Sequence, residues 1–120
     1  NGNTKRDFIF EDDFNNGLLK ILKVGKIGEK FHFSGGKYHT IKEVINKVIK
    51  IKKYSWSRLI LKKPERKGKD KNYYLNCKKT KRQLKWDCNV NLQKGLKKTI
   101  DYYDKIIKNI DTKDITFNIK

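Results

Sequence analysis

The chain has 120 residues, with 31 Lys and Arg against 13 Asp and Glu, a formal charge of +18 and 36% hydrophobic residues. That length allows one domain and one modest core, because a chain of this size buries only a little over ~60% of its unfolded surface. The longest apolar patches, such as Phe8-Ile9-Phe10 and Leu59-Ile60-Leu61, are strand-sized and fall far short of the roughly eighteen residues of a bilayer span, so no membrane is expected and the cytoplasm is the expected compartment.

In chain order, residues 6–11 (RDFIFE) place three large apolar residues between charges, the pattern of a short strand buried on both faces. Asp12 or Asp13 then offers a cap for a helix carrying Phe14, Leu18, Leu19, Ile21 and Leu22 and stopping near Gly25. A strand is expected at Phe31-His32-Phe33. Thr40-Ile41-Lys42-Glu43 has the form of a capping box, and Ile41, Val44, Ile45, Val48 and Ile49 trace one helical face behind it. Arg58 to Lys62 reads as a strand ended by Pro64, Glu65 to Asp70 as a charged loop around Gly68, and Tyr73-Tyr74-Leu75 as extended chain. Asn76 caps a short helix reaching Leu84, and Asn91 a longer one carrying Leu92, Leu96, Ile100, Tyr103 and Ile107. Residues 109–120 are expected to form a loosely held tail. The alternation of strand and helix predicts an α/β chain, the edge of a sheet plus a small lobe.

Cys77 and Cys88 stand eleven positions apart without a Cys-x-x-Cys pair or a His at zinc-ligand spacing, as reduced cytosolic thiols do. His32 and His39 have neither the spacing nor the companions of a metal pair, so no metal is expected. The charge would suit nucleic acid or an acidic membrane. The excess, however, is almost all Lys, spread over every candidate helix and loop rather than gathered with stacking aromatics. A chain rich also in Asn, Ile, Tyr and Phe carries such lysines through coding bias, which argues against a nucleic-acid partner. The first residue is Asn1, and the sequence reads as a segment of something longer.

Three stretches occur in a telling order: NGNTKRDFIFEDDF, then GKIGEKFHFSGGKYHTIKEV, then RKGKDKNYYLNCKKTKRQLKW leading into NLQKGLKKTIDYY. Together they resemble the C-terminal part of the extended short-chain dehydrogenase/reductase family of NAD-dependent sugar-nucleotide epimerases and dehydratases, dTDP-glucose 4,6-dehydratase-like in pattern. The similarity runs to about Tyr103. It implies the C-terminal edge of a Rossmann-type sheet with a small α+β substrate-binding lobe over residues 1–108. It also implies a nucleotide-diphosphate sugar as ligand, a hydride passed to NAD and back in the intact enzyme, and room for a homodimer of that enzyme.

The same resemblance assigns candidate residues. The arginines of this chain are Arg6, Arg58, Arg66 and Arg82; Arg6 and Arg66 fall where the family holds the diphosphate, and guanidinium offers the planar, bidentate donors that this group needs. Asp70 aligns with the family's loop aspartate, Lys69 replaces a histidine of the loop, and Thr40 lies about where dehydratases have a substrate-contacting Asn. Each has a plainer reading: Arg6 paired with Asp7 or Asp12, Arg66 a solvated loop charge, Thr40 a helix cap. No catalytic or cofactor-binding residue is expected on this chain. Tyr38-x-x-x-Lys42 and Tyr74-x-x-x-Lys78 fit the family's catalytic string only in the wrong regions, and neither GKIG nor Ser34-Gly35-Gly36 makes a dinucleotide turn. NAD is therefore assigned to the N-terminal half of the intact enzyme, and this chain alone is expected to be inactive. The alternatives are a free-standing basic nucleic-acid-binding module and a non-catalytic fragment.

Overall fold

Residues 2–60, 68, 70 and 72–109 are described by the computed structural model, without the side chains of residues 58, 59, 108 and 109. Strand β1 covers Lys5–Asp7 and pairs antiparallel with β2, Tyr38–Thr40, in the register Lys5 with Thr40, Arg6 with His39 and Asp7 with Tyr38. The expected strand over residues 6–11 is thus short. Phe8 to Phe10 leave the ladder, and Phe10 is the extended residue from which α1 starts.

Helix α1 runs Glu11–Val24. Asp12 and Asp13 do not cap it: with Glu11 they occupy its first turn, where negative charge complements the helix dipole. The helix ends at Gly25 as expected, the Gly25 N–H donating to Ile21 O at 2.7 Å. The strand expected at Phe31-His32-Phe33 does not form: these residues belong to no ladder among the described residues.

Helix α2, Ile41–Lys52, starts from the expected capping box: Thr40 Oγ1 accepts from Glu43 N at 3.1 Å and Glu43 Oε2 accepts from Thr40 N at 2.8 Å. The expected strand beginning at Arg58 is instead a single helical turn, α3, Trp56–Leu59. Its anchor is non-local, because Trp56 Nε1 donates to Asn46 Oδ1 on α2 at 2.8 Å. Leu61 to Arg66 and Lys69 lie outside the described residues.

Beyond Asp70 the described residues make one parallel bridge, Asn72 with Lys5, and Tyr73 to Leu75 join no further ladder. Asn76 Oδ1 accepts from Lys78 N at 3.0 Å and starts α4, Lys78–Leu84. Asn91 Oδ1 accepts from Lys94 N at 2.9 Å and starts α5, Leu92–Asn109. The rest of the expected tail lies outside the described residues.

The buried centre is small and partly polar. Cys77, Leu84 and Trp86 are its buried apolar residues, joined by Asp13, Ser34 and Thr80. Phe33 packs edge-on against both Trp86, at 4.9 Å between centroids, and Phe14, at 5.5 Å. Gly17 is what allows this approach: a Cβ there would lie 2.2 Å from the Phe33 ring. On α1 the apolar stripe does not go inward, since Leu18, Leu19 and Leu22 are exposed while Asp13 and Gly17 are buried.

Candidate functional site

Arg6 projects from the middle of β1, and its two terminal nitrogens donate to backbone carbonyls: Nη1 to Lys5 O at 2.8 Å and Nη2 to Asp70 O at 3.0 Å. The second bond spans 64 residues of sequence, so the guanidinium ties the end of the charged loop to the strand. A guanidinium has five N–H donors, more than these two bonds use. The plainer partners expected for Arg6 are engaged elsewhere: Asp7 Oδ1 accepts from Gly35 N at 2.9 Å, and Asp12 pairs with Lys98 at 2.9 Å.

Across the ladder from Arg6 stands His39, whose Nδ1 lies 3.6 Å from Glu43 Oε2. Thr40 follows, its hydroxyl engaged in the α2 capping box. The N–H of Thr40 holds the Glu43 carboxyl below the usual carboxylate range. Asp70 is exposed, and what binds it to Arg6 is its carbonyl oxygen, not its carboxylate. Arg6 and Asp70 are therefore joined directly, Thr40 pairs with Lys5 one step along the ladder from Arg6, and Arg66 and Lys69 lie outside the described residues.

Tyr38 closes the other side of this region. Its hydroxyl accepts from Leu75 N at 3.2 Å and donates to Leu75 O at 3.4 Å, while its ring meets Tyr74 edge-on at 4.4 Å. The hydroxyl is thus a clasp between β2 and the chain before α4. Neither GKIG nor Ser34-Gly35-Gly36 opens a helix: Gly28 leads into a segment outside any helix or ladder, and Gly35-Gly36 leads into β2.

The remaining polar groups serve packing. Thr80, wholly buried, accepts from His32 N at 3.2 Å and donates to His32 O at 2.6 Å. Asp13 Oδ2 accepts from Val90 N at 2.8 Å, Asn89 N at 3.1 Å and Cys88 Sγ at 3.3 Å, and Trp86 Nε1 donates to Asp13 O at 2.8 Å. Burial, then the bond to Asp13, pushes the Cys88 thiol up to about 11; burial also raises Cys77. Both cysteines are free and held as thiols, which disfavours a nucleophilic role. Among the described residues no group of three or more His, Cys, Asp or Glu is placed to hold a metal ion, and no helix is long and apolar enough to cross a membrane.

Set beside known proteins, the chain is 27% identical over 119 residues to dTDP-glucose 4,6-dehydratase 1 of Escherichia coli K12, covering 92% of this chain and 32% of that enzyme. It superposes on UDP-glucose 4-epimerase of Thermotoga maritima, solved with UDP-glucose, at a TM-score of 0.81 and 29% identity, over 89% of this chain and 34% of the epimerase. The chain is thus similar, in sequence and in fold, to one portion of the NAD-dependent epimerases and dehydratases of the extended short-chain dehydrogenase/reductase family. No family model matches it.

The dTDP-glucose 4,6-dehydratase of Bacillus anthracis, solved in complex with NAD, shares the fold at a TM-score of 0.80 and 23% identity, over 90% of this chain and 34% of that one. The chain spans about a third of the length of the curated relatives it matches. Its α/β fold is that of one portion of these Rossmann-type enzymes. Trp86 of the Leu-x-Trp motif and Asp13 of the EDDF motif turn out to join each other at the buried centre. Sequence reasoning passed over this pair; the signal was an acidic doublet in a chain otherwise dominated by Lys.

Proposed function

We propose that this chain is the C-terminal, substrate-binding portion of an NAD-dependent sugar-nucleotide 4,6-dehydratase or epimerase, and that Arg6 and Arg66 clamp the nucleotide diphosphate. The observation that carries this reading is the Arg6 guanidinium, held between β1 and the carbonyl of Asp70. That bond fastens the charged loop, at Asp70, to the strand that carries Arg6. Two guanidinium groups converging on one pyrophosphate would supply several charge-assisted bonds, each worth about 1.5–3 kcal/mol.

On this reading residues 1–108 form the binding portion. NAD and the catalytic Tyr-x-x-x-Lys belong to the remainder of the enzyme, and the chain alone is inactive, cytoplasmic and specific for a nucleotide-diphosphate sugar. Thr40 serves α2 first, its hydroxyl and N–H being used in the capping box.

The test is titration of the chain and of its Arg6→Lys variant with UDP and dTDP, followed by phosphorus NMR. Lys keeps the charge but loses the bidentate geometry. The expected result is a roughly tenfold weaker dissociation constant, the consequence of losing about one charged hydrogen bond. Equal affinity in wild type and an Arg6→Lys/Arg66→Lys double variant would sink the clamp. Tighter, steeply salt-dependent binding of duplex DNA would favour the basic-module alternative.

A further inference from the structure

We infer that His39 is a further phosphate-binding residue beside Arg6, donating from Nε2 when its imidazole is protonated, so that the site takes up a nucleotide diphosphate more tightly at mildly acidic pH. The inference rests on the diphosphate reading of Arg6 and adds to it a second residue and a proton.

The register of the ladder places the pair. Arg6 and His39 stand directly opposite one another on β1 and β2. Opposed residues of an antiparallel pair send their side chains to the same face, with Cβ atoms about 4.5–5.5 Å apart, a spacing from which both can reach one phosphate group. The neighbouring pair, Asp7 and Tyr38, lies on the other face, where Asp7 Oδ1 and the Tyr38 hydroxyl are bonded to the backbone of Gly35 and Leu75. Arg6 retains N–H donors beyond the two taken by the carbonyls of Lys5 and Asp70.

Glu43 sets what the imidazole can do. Its Oε2 lies 3.6 Å from His39 Nδ1. The Thr40 N–H and, after it, the charge of His39 hold the carboxyl below 4.5, so Glu43 is an anion wherever histidine changes its charge. An anion beside Nδ1 keeps a proton on that nitrogen. In the neutral ring Nε2 is then an acceptor, which a phosphate oxygen avoids; a second proton turns it into a charged donor. The charges around the ring are Arg6 from β1, with Lys5 and Asp7 next to it on the opposite face; Lys42 and Glu43 from α2; Lys37 two residues earlier in the chain; and Asp70, joined to Arg6 through its carbonyl. Arg6 opposes the second proton and Glu43 favours it. A diphosphate between Arg6 and His39 offsets that opposition, so ligand and proton each promote binding of the other.

UDP-glucose is the probe, because both its phosphates are esterified and keep their charge while the protein titrates. Wild-type chain should bind it about tenfold more tightly at about pH 5.5 than at about pH 8, the effect of one charged hydrogen bond. His39→Gln should show the weaker affinity at both, and Arg6→Lys should weaken binding at both while keeping their ratio. Imidazole NMR on the wild type gives a readout that needs no variant. The chain has two histidines, and UDP-glucose should move the titration of His39 to higher pH while leaving that of His32, which is exposed and tied to Thr80 only through its backbone. An ion pair with Glu43 alone produces no such response to ligand. Equal wild-type affinity at both pH values overturns the inference, as does a pH dependence that survives in His39→Gln or a His39 titration indifferent to UDP-glucose. Binding that Arg6→Lys weakens but pH does not touch keeps the diphosphate clamp and removes His39. A pH dependence carried by His39 in a chain indifferent to Arg6→Lys does the reverse, and absence of binding at either pH removes both.

Discussion

The two sides of α1 differ sharply. Its inner side carries Asp13 and Gly17, both buried, and there the helix meets Phe33 through the Phe14 ring and Trp86 and the segment Cys88 to Val90 through a set of short hydrogen bonds. Its outer side carries Leu18, Leu19 and Leu22, the residues that hydropathy alone would bury, and they face water. The lesson is that this chain is held together by polar groups satisfied within a small centre, while much of its apolar capacity is turned away from that centre. Amphipathicity says that a helix has a face to cover; it does not say that the cover is in the same chain.

The largest break in this contrast is Trp86→Ala. Trp86 is 2% exposed, meets Phe33 edge-on and donates to Asp13 O. Removing it leaves a cavity and an acceptor without its donor, at a cost of about 3–5 kcal/mol. Since domains of this size retain only about 5–15 kcal/mol in total, urea titration followed by circular dichroism should show the transition moved to very low denaturant. A midpoint close to wild type would mean that the inner side of α1 is not where the stability lies.

A smaller effect is expected from Thr80→Val. The hydroxyl is wholly buried and satisfies both backbone groups of His32; valine keeps the volume and strands both partners, for about 1–3 kcal/mol. The accompanying signature is local: the His32 amide should lose its protection first. Unchanged exchange at His32 would show that water replaces the hydroxyl.

How much of this was legible depended on whether the deciding contact was local. The caps Thr40, Asn76 and Asn91 were legible, because each acts within three residues of itself. The start of α1 was misplaced, since Asp13 has a distant task, the backbone at Asn89 and Val90, that outweighs a local cap. The turn at Trp56 read as a strand because its anchor, Asn46, lies ten residues away. Phe31 to Phe33 read as a strand, yet no ladder forms there among the described residues, because an apolar pattern does not supply the neighbour a ladder needs. In the candidate site, the ordered motifs brought Arg6 and Asp70 into one argument, and the structure joins them by a bond; no pattern indicated that a carbonyl would make it.

The smallest effect lies between the two sides of the contrast, at the start of α2, and it separates two readings of Thr40. As a helix cap, Thr40→Ala should cost about 1 kcal/mol and Thr40→Ser should recover most of it. As a substrate contact, the alanine variant should instead weaken UDP and dTDP binding with little change in stability. Glu43 supplies an independent check through pH. Its carboxyl, bonded to the Thr40 N–H, is held below the ordinary glutamate value of 4.5, so the folded state binds its proton less readily than the unfolded chain. Its contribution is therefore present above that value and is lost as pH falls through the depressed one. Glu43→Gln should flatten this acid limb of the thermal midpoint, and a limb unchanged by that substitution would remove the carboxylate from the cap.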